Sequence, residues 1–118
     1  MIIVVDDERK FDPEKFNTDW FVQCWNSDQA CRLLGDIAMD GIDTIDELWL
    51  DHDLGGDDTI RPFVLMIEEM FHEGHLPPIG KIMIHTSNPA GRKWMMQGLD
   101  RILAGVVVAD PNPFLIGA

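Results

Sequence analysis

Acids, histidines and hydroxyls gather at three places in this chain, each directly after a short apolar run. Asp6, Asp7, Glu8 and Arg9 follow Ile2–Val5; Asp51, His52 and Asp53 follow Leu48–Leu50; His85, Thr86, Ser87 and Asn88 follow Ile82–Ile84. If Asp6, Asp7, Asp51 and Asp53 come together, their mutual repulsion calls for a cation. Hard divalent ions such as Mg²⁺ or Mn²⁺ take carboxylate oxygens and bridge them to phosphate. His52 lies between two aspartates, and His85 precedes two hydroxyls. A base and an acid on either side of one phosphorus is what cleavage of a phosphodiester requires. Asn88-Pro89-Ala90-Gly91 reads as a helix start beside His85. The N–H groups and dipole of such a start form an anion site, with Gly91 allowing close approach. Arg9 and Arg92 are the cations best placed for bidentate phosphate contact.

What must position these groups is a parallel sheet. Ile2–Val5 is apolar throughout, as a strand buried on both faces should be. Further strands are expected at Trp20–Trp25, Glu47–Asp51, Lys81–His85 and Val106–Ala109. Ser27 is read as the N-cap of a first helix, with Ala30, Leu33, Leu34, Ile37 and Ala38 on one face and a stop at Gly41. A second helix has Thr59 as a candidate cap, Pro62 in its first turn and a stripe of Phe63, Met66, Ile67, Met70 and Phe71. A third starts at Asn88-Pro89 and repeats at helical spacing up to Gly105. The connection from Asp6 to Trp20 has only about 14 residues, near the minimum for a parallel crossover, so its helix should be short or missing. Asp110–Ala118, with two prolines, is expected to be irregular.

Strands alternating with helices over 118 residues predict one α/β domain, 1–118. It should be a three-layer, flavodoxin-like sandwich on a five-stranded parallel sheet in order 2-1-3-4-5. In that order the first, third and fourth strands are neighbours, and ligands bind beyond the carboxyl ends of such strands. All three polar clusters stand there.

Composition narrows the partners. A net charge of −12 argues against an extended nucleic-acid surface, which needs clustered Lys and Arg. A phosphate ligand should therefore be small, or an RNA terminus gripped at one end. No run approaches the roughly 20 apolar residues of a membrane span, and the start has no leader pattern, so a cytoplasmic protein is expected. Cys24 and Cys31 lack the close spacing of a zinc site and read as buried free thiols. No glycine-rich dinucleotide loop, P-loop or nucleophile elbow is present.

Asp6-Asp7 and Asp51 resemble the acidic pocket and phosphoacceptor of two-component receiver domains. Those domains carry a lysine at the end of strand five, whereas this chain has Val108-Ala109-Asp110-Pro111-Asn112-Pro113-Phe114 there and no lysine after Lys93. The chain is more similar to the divergent receiver-like family of cyclic-phosphate processing receiver domains. Its marks match Asp6-Asp7-Glu8-Arg9, Leu50-Asp51-His52-Asp53-Leu54-Gly55 and His85-Thr86-Ser87-Asn88-Pro89-Ala90-Gly91. The resemblance implies a receiver-like fold and work on cyclic phosphates, in RNA repair or nucleotide signalling.

The expected activity is a metal-assisted cyclic phosphodiesterase. Asp6, Asp7, Asp51 and Asp53 would hold Mg²⁺ or Mn²⁺, His52, His85 and Asp51 would carry the chemistry, and Arg9, Thr86, Ser87, Asn88 and Gly91 would hold substrate. The alternatives are a signalling receiver phosphorylated at Asp51, and a non-catalytic module that binds a cyclic nucleotide or a protein.

Overall fold

The computed structural model describes residues 1–8, 12, 14, 20–41 and 44–109. Its elements run β1 (Ile2–Val5), β2 (Phe21–Cys24), α1 (Ser27–Asp40), β3 (Ile45–Leu50), α2 (Arg61–Glu73), β4 (Ile79–Ile84), α3 (Pro89–Ile102) and β5 (Val107–Ala109). The sheet is parallel throughout, in the order β2-β1-β3-β4-β5. This is the predicted receiver-like α/β fold. The expected short first crossover and irregular tail fall on residues outside those described.

Handedness dictates where the helices go. From β2 onward each connection moves the chain the same way across the sheet, and right-handed crossovers then place α1, α2 and α3 on one face. There Ala30, Leu34 and Ile37 of α1, Phe63, Val64 and Ile67 of α2, and Met95 and Leu99 of α3 close over Ile3, Val5, Leu48, Leu50, Ile82 and Ile84. On the opposite face Ile2, Val4 and Trp49 are buried, with Phe21 and Met83 packed against them. β1 is therefore apolar at every position because both of its faces are covered. No helix among the described residues is long and apolar enough to cross a membrane.

Helix starts depart slightly from expectation. Asn26, not Ser27, is the N-cap of α1: its backbone is extended and its side chain accepts the Gln29 N–H. Ser27 instead gives its N–H and hydroxyl to the Asp58 carboxylate, tying α1 to the loop after β3. Ile60 stands at the cap position of α2 without a side-chain cap. The Thr59 hydroxyl accepts the Arg61 N–H at 3.3 Å.

The chain runs from β1 outward to β2, then returns past β1 to β3. Its direction thus reverses beside β1 and β3, the switch point at which doubly wound sheets bind ligands. Asp6 and Asp51 are the first residues beyond those two strands.

Candidate functional site

The backbone ladder continues one residue past three strands and fixes the floor of the site. Asp6 N–H donates to Cys24 O at 3.1 Å, Asp51 N–H to Val5 O at 3.1 Å, and His85 N–H to Leu50 O at 3.0 Å. Asp6, Asp51 and His85 are therefore held in the plane of the sheet.

One carboxylate oxygen from each of Asp6, Asp7 and Asp51 lies within 4.8 Å of the others; Asp6 is buried and the other two are half-buried. Asp6 is fixed at both oxygens. Oδ1 accepts the Glu8 N–H at 2.9 Å, and Oδ2 stands 3.0 Å from Nε2 of His85. His85 reaches Asp6 over the end of the intervening β3, with its ring centroid 5.8 Å from that of Trp49. Asp7 needs room next to Gly55. A Cβ there would come within 2.9 Å of Asp7 Oδ2, and the Gly55 φ of 89° is costly for any other residue.

Asp53 lies outside this trio. Its exposed carboxylate meets Nδ1 of His52 at 2.9 Å and accepts from the Asn88 amide at 3.2 Å, and these two hydrogen bonds, His52 first, lower its pKa. Of up to four carboxylates expected near the switch point, those of Asp6, Asp7 and Asp51 come together, while Asp53 turns to His52 and Asn88.

The two histidines, predicted as an acid–base pair, are both buried. His52 is engaged at both ring nitrogens: the Arg61 Nε–H donates to Nε2 at 3.1 Å, so the ring proton sits on Nδ1 and points to Asp53. The ring also meets Trp94 edge-on, with centroids 6.4 Å apart. In this arrangement His52 and His85 hold other side chains.

The start of α3 likewise serves the protein itself. Asn88 is the N-cap, its Oδ1 accepting the Gly91 N–H at 3.0 Å. Gly91 is buried, and a Cβ there would overlap the His52 ring. The room read as space for an anion is filled by His52. Thr86 is buried, accepting the Asn88 N–H at its hydroxyl and an Arg92 Nη2–H at its carbonyl. Ser87 is exposed. Arg9 lies outside the described residues.

Sequence reasoning missed Arg61 and the role of Trp94. The Arg61 guanidinium carbon lies 4.6 Å from the centre of the Trp94 ring. An arginine nine residues after His52 carries no pattern of its own. The available clue was Gly91, whose missing side chain makes room for the ring that Arg61 grips.

A family model described as the cyclic-phosphate processing receiver domain matches residues 1–101. No curated protein matches the chain. It is similar to a solved structure titled as a yeast Spc42 trimeric coiled coil (amino acids 181–211) fused to another structure. That similarity has 14% identity and a TM-score of 0.49, covering 94% of this chain and 68% of that one. With the three polar clusters at the carboxyl ends of β1, β3 and β4 and the family match over most of its length, this chain belongs to the cyclic-phosphate processing receiver domain family.

Proposed function

We propose that this domain is a metal-assisted phosphoesterase that opens a cyclic phosphodiester on an RNA end or a cyclic nucleotide. The observation that carries this reading is the trio of Asp6, Asp7 and Asp51 at the switch point of a sheet in this family. Three carboxylate oxygens suit a hard divalent ion, and Gly55 leaves the space that Asp7 occupies. A bound Mg²⁺ or Mn²⁺ would offset the phosphate's charge and make water a better nucleophile.

The protein's part is to aim and hold. His85 and the Glu8 N–H fix Asp6, so that a ligand oxygen at the centre of the site does not drift. Asn88 is committed to Asp53, which leaves the exposed Ser87 hydroxyl and Arg9 as the direct phosphate contacts of the predicted set. Hydrolysis adds one water across a ring P–O bond and yields a phosphate monoester and a free hydroxyl. The setting is RNA repair or nucleotide signalling in the cytoplasm. With nine basic residues against 21 acidic ones, the ligand is small or held by one end.

A second reading draws on the same trio: Asp51 could accept a phosphoryl group, as in signalling receivers. The lack of any lysine after Lys93 counts against it. Incubation with adenosine 2′,3′-cyclic phosphate and Mg²⁺ or Mn²⁺, followed by ³¹P NMR, should show a monoester for the wild type and none for Asp51→Asn. An unchanged cyclic phosphate, with label on Asp51 from acetyl phosphate, would favour the receiver reading.

A further inference from the structure

We propose that Arg61 is an anion-gripping residue at the start of α2, held ready for a phosphoryl group by His52 and Trp94; the identification of that anion rests on the phosphate reading above. Arg61 opens α2 at the carboxyl end of β3, and its side chain is exposed. It is nevertheless fixed from two directions. In its plane, Nε donates to Nε2 of His52 at 3.1 Å; above it lies the Trp94 ring, 4.6 Å from the guanidinium carbon. His52 is itself clamped, by Asp53 at Nδ1 and by Gly91 against its ring. The loop that carries Arg61 back to His52 is closed by the Ile60 N–H donating to His52 O at 2.8 Å and by the bridge between Asp53 and Thr59.

The charge of Arg61 is also left uncancelled by the protein. Among the described residues no carboxylate lies within ion-pair distance of it, while Arg32 pairs with Asp28 at 3.0 Å. The guanidinium's one hydrogen-bond partner among them is a ring nitrogen that accepts, which orients the fork without cancelling its charge. Both Nη groups are left for an outside acceptor. A planar fork with parallel N–H donors matches two oxygens of a phosphate, and stacking on an aromatic ring reduces the freedom it must lose on binding. His52 is then a positioning residue, which accounts for its burial and for its engagement at both nitrogens.

The test is calorimetric titration of the chain, with Mg²⁺ present, by inorganic phosphate and by adenosine 2′,3′-cyclic phosphate. Arg61→Gln should weaken binding of both by about tenfold or more, and Arg61→Lys should recover little of it, because an ammonium cannot both serve His52 and offer a fork. Mn²⁺ affinity should stay as in the wild type and the variant should still fold cooperatively, which separates loss of the grip from loss of fold or metal. Wild-type affinity in Arg61→Gln, or a wild type that binds neither probe, overturns the proposal. If binding depends on Arg61 but no cyclic phosphate is hydrolysed, the grip stands and the phosphoesterase reading falls. If hydrolysis occurs and Arg61→Gln binds normally, the reverse holds.

Discussion

Nε2 of His85 stands 3.0 Å from Oδ2 of Asp6, and both side chains are shut away from solvent, at 3% and 0% exposure. A buried carboxylate needs hydrogen-bond donors, and the histidine one residue past β4 supplies one across the end of β3. Removing His85 takes one hydrogen-bond donor from the buried Asp6 carboxylate. His85→Ala is therefore expected to destabilise the fold by about 1–3 kcal/mol. His85→Gln, which keeps a donor, should cost less. Chemical denaturation of the two variants checks this; equal and small losses would mean that Asp6 does not depend on His85.

Gly91 makes a second prediction. A Cβ at this position overlaps the His52 ring, whose place is also set by Asp53 and Arg61, so the ring cannot move without breaking those bonds. Gly91→Ala should destabilise by about 1–3 kcal/mol although alanine favours helices, and it should release Arg61 from Trp94. Denaturation together with Trp94 fluorescence reads both effects. A neutral or stabilising result would show that His52 is not held where it stands.

Most of the fold was legible from runs of residue types. Ile2–Val5 is apolar at every position because β1 is covered on both faces, and strands alternating with helices imply a parallel sheet, for which 2-1-3-4-5 is the common order at this size. The site was legible only as far as strand ends go. Asp6, Asp7 and Asp51 stand where the switch point puts them, but whether Asp53 joins them depends on a side-chain rotation that no spacing records. The same holds for Gly91: a helical glycine makes room for something, and the sequence does not say whether that is a ligand or the His52 ring. At Asn26-Ser27 two good caps adjoin, and the choice falls to the residue whose backbone turns extended.

The cysteines differ in a way thiol chemistry can read. Burial pushes the Cys24 thiol up to about 11, and Cys31, half-buried, is also raised, by burial and by Asp28 and Asp58. At pH 8 only about one Cys24 in a thousand is thiolate, and the group is also inaccessible. Ellman's reagent should modify Cys31 first, and Cys24 only once the fold opens in denaturant. Fast labelling of Cys24 in the native protein would contradict its placement in the core.

The measurement that bears most directly on the site is Mn²⁺ binding followed by electron paramagnetic resonance. If Asp6, Asp7 and Asp51 form a divalent-cation site, the wild type binds one Mn²⁺ per chain, Mg²⁺ competes for it, and Asp51→Asn abolishes binding. Asp53→Asn should retain it, since Asp53 is turned toward His52 and Asn88. A wild type that takes up no Mn²⁺ at millimolar concentration, or an Asp51→Asn variant that binds it as well as the wild type, would contradict the account.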